Sequence, residues 1–334
     1  MTDELRFKSG EPVLLWWDHP ESDDAVRAVL TRPRGGRVTV LVDGELPERI
    51  EGGAFNLDKD APEATFRRGA SAIAAARNAE RKSDLFRLCG VLYGGATPEI
   101  GPQRRWQPLD ASLNTPQREA VDAALRSDDV SLIHGPPGTG KTRTLVEVIR
   151  QCVAAGEKVL ATAASNTAVD NLAERLIVEG VGVVRLGHPA RVSPAVEART
   201  LDALLDADGD RALARDWARQ AADIRRKVAA RSARGRIDRA ERRDLLREAA
   251  RLNKDARRYL RGLQDSIIAA NPVVCATAAG ADAGVLGDTR FDVVVLDEAT
   301  QAPDPMALVA IARGARLVLA GDPCQLPPTV IDFQ

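Results

Sequence analysis

The chain has 334 residues, with 47 Lys and Arg against 48 Asp and Glu, and a formal net charge of -1 at pH 7, so its total charge announces no polyanionic partner. A hydrophobic fraction of 44% and a charged fraction of 28% suit a globular protein of about two domains and exclude a disordered or fibrous chain. Apolar runs such as 293–296 fall far short of the roughly 20 residues of a bilayer span, and the first ten residues are charged with no signal-type apolar stretch. A cytoplasmic protein with no membrane partner is therefore expected.

Three short strands at 12–17, 25–30 and 37–42, set off by turn signals such as Gly35-Gly36, predict a small β module over 1–60. From 62 to about 89 the sequence is rich in Ala, Arg, Leu and Glu with Gly69 as the one breaker, which predicts a long helix. Gly94-Gly95, Pro98 and Gly101-Pro102 then mark a connector, so 61–112 reads as a helical stalk and connector. Thr115 as N-cap, with Pro116 in the first turn, predicts a helix to about 126 and opens the larger domain, 113–334. Strands at 131–134, 158–163, 181–186, 273–277, 291–296 and 316–320 are interleaved with helices at 141–155, 167–179 and 305–313. Continuous Val, Ile and Leu strands between helices predict an α/β fold with a parallel sheet covered on both faces. An insertion at about 201–270 reads as two helices joined near Gly235. Between 211 and 261 there are 18 Lys and Arg against 7 Asp and Glu, a net of +11 that the rest of the chain offsets with -12. The four cysteines, Cys89, Cys152, Cys275 and Cys324, form no C-x-x-C pair and are expected to be reduced thiols. Trp16, Trp17 and Trp106 read as packing residues, and His19, His134 and His188 as structural histidines.

Gly135-Pro136-Pro137-Gly138-Thr139-Gly140-Lys141-Thr142 satisfies G-x-x-x-x-G-K-[ST] between a predicted strand and helix. Its glycines allow backbone N–H groups to turn inward around a phosphate. Lys141 can reach the β- and γ-phosphates of a nucleoside triphosphate, and the Thr142 hydroxyl can ligate Mg2+. A second site follows on the strand 293–296, which ends in Asp297-Glu298. In this setting Asp297 is expected to hold Mg2+ through its water shell, and Glu298 to orient and polarise the attacking water.

Asp297-Glu298-Ala299-Thr300-Gln301 and Leu319-Ala320-Gly321-Asp322-Pro323-Cys324-Gln325-Leu326-Pro327-Pro328, read together, resemble superfamily 1 helicases of the up-frameshift type. Within them the chain looks most like the immunoglobulin-mu-binding-protein (Smubp) branch. Leu113-Asn114-Thr115-Pro116-Gln117 is similar to the family's Q motif, and Ala163-Ala164-Ser165-Asn166-Thr167-Ala168-Val169-Asp170-Asn171-Leu172 to its motif Ia. Val273-Val274-Cys275-Ala276-Thr277 is similar to the strand of the next nucleic-acid-contacting motif, and 185–191 to the segment following motif Ia.

The resemblance implies a P-loop, RecA-like domain preceded by a β-barrel on a helical stalk, with Gln117 recognising adenine and Gln325 contacting the γ-phosphate or attacking water. It implies that Ser165, Asn166 and Thr277 donate to phosphates of single-stranded DNA or RNA. From the residues alone, Ser165 and Asn166 also read as a plain helix cap, and Thr277 as an ordinary strand end. The insertion, with Arg225, Arg226 and Arg243, reads either as a nucleic-acid contact or as a solvated hairpin with pairs such as Asp238 with Arg242. The family's second RecA-like domain and its arginines are not in the sequence, so it is expected to be supplied in trans or lost by truncation. The chain alone is then expected to bind Mg-ATP and hydrolyse it slowly. Two readings result: the ATPase half of a 5′–3′ helicase, or an ATP-responsive single-strand binder without unwinding activity.

Overall fold

The computed structural model describes residues 12–17, 19, 25–30, 39–42, 55–59, 63–102, 105–187, 192–207, 209, 211–234, 236–325 and 327–328. The expected Gly35-Gly36 turn, the segment 188–191 with His188, Leu326 and the residues from 329 onward lie outside them.

The N-terminal module is a four-stranded antiparallel sheet of β1 (Pro12–Trp16), β2 (Val26–Leu30), β3 (Val40–Val42) and β4 (Asn56–Lys59), in the order β3-β2-β1-β4. Val13, Leu15, Ala28 and Leu30 form its small core. Strand β4 was not expected, because Asn56-Leu57-Asp58-Lys59 lacks an apolar alternation. Backbone pairing with β1 holds it, and Trp16 Nε1 donates to Asp58 Oδ2 at 2.7 Å.

The single long helix expected after the module is two helices, α1 (Glu63–Arg77) and α2 (Asp84–Leu92). The break has a cap rather than a glycine: Ser83 Oγ accepts from Phe86 N and donates to Glu80 O. Gly69 has a different purpose. A Cβ there would run into Met306, so the glycine lets α1 lie close against a helix of the larger domain.

That domain runs α3 (Thr115–Arg126), β5 (Val130–His134), α4 (Lys141–Ala154), β6 (Val159–Ala163), α5 (Asn166–Val178) and β7 (Val183–Arg185), then the insertion, α6 (Leu201–Ala207), α7 (Arg211–Ala233) and α8 (Arg239–Ala270). It closes with β8 (Val273–Thr277), α9 (Ala283–Leu286), β9 (Phe291–Asp297), α10 (Asp304–Ile311) and β10 (Gly314–Gly321). The six strands are parallel, in the order β5-β10-β9-β6-β8-β7. Successive residues of β9 serve opposite layers: Val293 and Val295 pack with α3, α4 and α5 residues such as Val121, Ile149 and Leu172, whereas Val294 and Leu296 pack with Leu88, Ile268 and Leu308. Burial on both faces is why these strands read as unbroken apolar runs. Because β10 lies between β5 and β9, the carboxyl ends of the three strands stand in a row, with Gly321 opposite His134 and Leu319 opposite Leu296. Loops leaving these ends build the site.

In the insertion, Ala214, Ala221 and Val228 of α7 and Ala249 and Ala256 of α8 are buried at seven-residue spacing, the pattern of a close-packed helical pair. The expected Asp238–Arg242 pair does not form. Asp238 is the N-cap of α8 instead, accepting from Ala240 N and Glu241 N.

Candidate active site

Helix α3 begins one residue earlier than its Thr–Pro signal suggests: Asn114, not Thr115, is the N-cap. Asn114 Oδ1 accepts from Gln117 N at 3.0 Å, and Gln117 Oε1 accepts from Asn114 N at 3.0 Å, a closed capping box. The same Gln117 side chain donates through Nε2 to Thr139 O of the phosphate-type loop at 2.9 Å, which ties α3 to that loop. One N–H and one acceptor lone pair of its carboxamide remain for another partner.

Gly138 and Gly140 hold the loop at φ 81° and 85°, the left-handed region that a side chain disfavours. At Gly140 a Cβ would also lie 2.5 Å from Gln117 Nε2 and would displace that side chain from the loop. Lys141 opens α4, and its ammonium donates to the Gly135 and Pro136 carbonyls. Thr142, next in the helix, donates from Oγ1 to Asp297 Oδ2 at 3.0 Å, joining the end of β9 to the loop after β5.

Asp297 is buried, at 3% exposure, and this burial pushes its carboxyl above the usual range, opposed by the Glu298 N–H, the Thr142 hydroxyl and the Lys141 charge. Glu298 is also raised, first by burial and then by the neighbouring Asp297 charge, with Lys141 opposing. At φ 51°, Glu298 is the one non-glycine residue with positive φ among the described residues. Such strain collects where a side chain must be aimed.

Between these carboxylates and the loop lies Asp322, a residue of a quoted motif to which the sequence reading assigned no role. It accepts from Cys324 N at 3.0 Å and Gln325 Nε2 at 3.2 Å, and lies 3.5 Å from His134 Nε2. Its carboxyl is held below the usual range, chiefly by the Cys324 N–H. His134, read as a structural histidine, stands with its side chain 62% exposed at the edge of the site. Lys141, Thr142, Asp297, Glu298, Asp322 and Gln325 line one cleft of about 430 Å³, to which Arg143, Arg175 and Gln301 also contribute. Arg143 is held by a bidentate bond to Asp110, at 2.6 and 3.0 Å; the Ser112 hydroxyl first, and Arg143 after it, keep that carboxyl low, at about 2.

The residues expected to meet nucleic acid fall into two groups. Ala163 and Thr277 are opposite each other on β6 and β8, so Ser165, Asn166 and Thr277 share one sheet edge. Ser165 and Thr277 also have the ordinary roles weighed for them, a helix cap and a strand end, whereas Asn166 is not a cap. Ser165 Oγ caps α5 through Ala168 N, Thr277 Oγ1 caps a short turn through Gly280 N, and Asn166 Oδ1 accepts from Arg185 Nη2 at 2.9 Å. Arg185 is fully buried, an unexpected place for a charge, and Asp170 balances it at 2.7 Å. A guanidinium only donates, so it fixes the Asn166 oxygen inward and leaves the amide nitrogen as the group Asn166 can offer. Arg225, Arg226 and Arg243 lie exposed on the insertion instead, Arg226 paired with Asp223.

A parallel sheet, a glycine loop entering a helix at Gly-Lys-Thr, and an acidic pair on a neighbouring strand, bonded to that threonine, define a RecA-like P-loop domain. Among known proteins the chain matches the AAA domain family over residues 112–332, and it belongs to that family. Its relatives place it with the superfamily 1 helicases of the Upf and Smubp kind. It is 36% identical to the DNA-binding protein SMUBP-2 of Rattus norvegicus over 98% of the chain and 33% of that protein. It is 39% identical to the DNA polymerase alpha-associated DNA helicase A of Schizosaccharomyces pombe over 66% of the chain and 33% of that protein. An uncharacterized ATP-dependent helicase of Methanocaldococcus jannaschii is 33% identical over 98% of the chain and 54% of its own length. The chain thus spans about a third to a half of these relatives. Among the described residues, no helix is long and apolar enough to cross a membrane.

Proposed function

We propose that the chain is the ATP-binding and hydrolysing half of a 5′–3′ DNA or RNA helicase. It would couple Mg-ATP hydrolysis to movement along a single strand when completed by a second RecA-like domain, in the same polypeptide or in trans, in a cytoplasmic setting. The observation that carries this reading is the Thr142–Asp297 hydrogen bond within the cleft that also holds Lys141, Glu298 and Gln325.

The donor set fits the expected groups. A neutral hydroxyl and a carboxylate oxygen held at hydrogen-bond distance are hard oxygen ligands of the kind Mg2+ takes. Bound there, the metal would neutralise charge developing on the phosphate oxygens. The backbone N–H groups of 138–140 and the Lys141 ammonium hold the phosphates. Gln117 reads adenine through its free N–H and lone pair, Glu298 receives the proton of the attacking water, and Gln325, steadied by Asp322, senses the γ-phosphate position. Ser165, Asn166 and Thr277 bind strand phosphates at the sheet edge, with the Asn166 amide nitrogen as donor.

The test is ATPase activity with and without an added second RecA-like domain from a relative, on DNA and RNA strands of equal length. Arginines of such a domain are worth about 10³ to 10⁵ in rate. Strand-stimulated hydrolysis that rises steeply with the domain supports the helicase reading. Strand binding without stimulated hydrolysis by the completed protein would overturn it in favour of a non-translocating binder.

A second expectation concerns Asp297. Its raised carboxyl contributes stability below the ordinary value of 3.8 and loses it as pH rises through the raised value. At neutral pH the ionised form therefore burdens the fold, and Asp297→Asn is expected to raise the melting temperature while abolishing the Mg2+-dependent stabilisation by ATP. A variant that melts lower and keeps its response to Mg-ATP would contradict this assignment.

A further inference from the structure

We infer that Arg175, on α5, supplies a second cationic contact to the phosphates of the bound nucleotide; this rests on the ATP site proposed above. Arg175 stands at the meeting of two cavities. It lines the cleft of Lys141, Thr142 and Asp297, and also an open groove of about 790 Å³ between α4 and α5. Among the described residues, only Arg143 shares that position.

The charge of the cleft gives the first reason. Among the described residues that line it are three carboxylates, Asp297, Glu298 and Asp322, and three cations, Lys141, Arg143 and Arg175. Arg143 is committed outside the cleft, to both oxygens of Asp110. Lys141 and Arg175 are then left to face three carboxylates before any phosphate enters. A metal-bound triphosphate is itself an anion, so an uncommitted cation in the wall is drawn to it. The planar fork of a guanidinium suits two phosphate oxygens at once.

The second reason is that Arg175 is uncommitted and aimed the right way. Its i, i+4 neighbour Glu179 pairs instead with Arg150, at 2.9 Å. The other carboxylates of the groove are engaged as well: Asp110 holds Arg143, and Glu147 accepts from the Leu109 and Asp110 N–H groups. Glu174 stands about 100° round the helix from Arg175. The Arg175 guanidinium has no ion pair or hydrogen bond among the described residues. Long side chains on a helix lean toward its N-terminus. Helix α5 starts just past the carboxyl end of β6, on the same sheet edge from which the site's loops leave, so the lean points Arg175 at the cleft. Its backbone is held in place, since Leu172, Ala173 and Leu176 on either side are buried in the core.

The experiment titrates the full chain with the Mg2+ complex of a non-hydrolysable imido analogue of ATP. Arg175→Gln removes the charge at an exposed helix position that glutamine suits. It is expected to weaken binding about ten- to a hundredfold, the loss of a hydrogen bond to a charged group. Arg175→Lys, which keeps the charge, should recover part of that loss. Arg257→Gln makes the same change of charge on the exposed surface of the insertion and should leave the affinity unaltered. Melting curves without nucleotide establish that each variant is folded. Equal affinity of Arg175→Gln and the unaltered chain overturns the Arg175 contact while leaving the ATP site intact, and so does a loss that Arg257→Gln shares. Failure of the unaltered chain to bind the analogue overturns both.

Discussion

A Lys141→Ala chain is expected to remain folded and to lose measurable ATP binding, a fall of at least about a hundredfold, as follows from removing one partner of a desolvated charge pair. The ammonium rests on two loop carbonyls at the mouth of α4 and is the one lysine among the described residues that line the cleft. It also opposes the rise of both carboxyls behind it, so its removal leaves Asp297 and Glu298 harder to ionise. The loss is then twofold: the phosphate's counter-charge goes, and the metal-side carboxylate weakens. Thermal shift gives the clearest reading. A ligand at about a hundred times its Kd stabilises a protein by about 2.7 kcal/mol; the unaltered chain should show that shift and the variant none. Retained affinity would refute the phosphate-loop assignment.

What could be read from the residues depended on whether a feature is local. The six parallel strands and the helices between them were legible because burial on both faces writes itself as apolar runs, and Gly-Lys-Thr and Asp-Glu were legible because their backbone demands are met within a few residues. Strand order was not, since nothing in Leu317 or Val318 says that β10 separates β5 from β9. The break at Ser83 was hidden by helix-favouring residues on both sides and is visible only as a Ser-Asp start. Arg185 was the largest surprise, because a cation ending an apolar strand looks solvated until Asp170 and Asn166 close over it. The same non-locality hid the approach of His134 to Asp322, 188 positions apart in sequence.

Glu298→Gln is expected to cut strand-stimulated hydrolysis by about 10² to 10⁴, the usual contribution of a general base, with ATP binding retained. The substitution keeps shape and length but cannot receive a proton. Its backbone context makes the result discriminating. At φ 51° the residue carries a cost of about 1 to 3 kcal/mol that the surrounding structure sustains; a residue placed only to end β9 would be better as glycine. Glu298→Gly should therefore gain stability and lose turnover as completely as Glu298→Gln. The pH dependence gives an independent sign. Since burial and Asp297 raise the Glu298 carboxyl, its contribution to stability is complete below its ordinary value of 4.5 and is lost as pH rises through the raised one. Glu298→Gln should thus melt higher than the unaltered chain at neutral pH. The same raised value puts the acid limb of the rate profile above the range of an ordinary glutamate, and that limb should vanish with the carboxylate. Turnover unaffected by Glu298→Gln, or an acid limb that survives it, would assign the base to another residue.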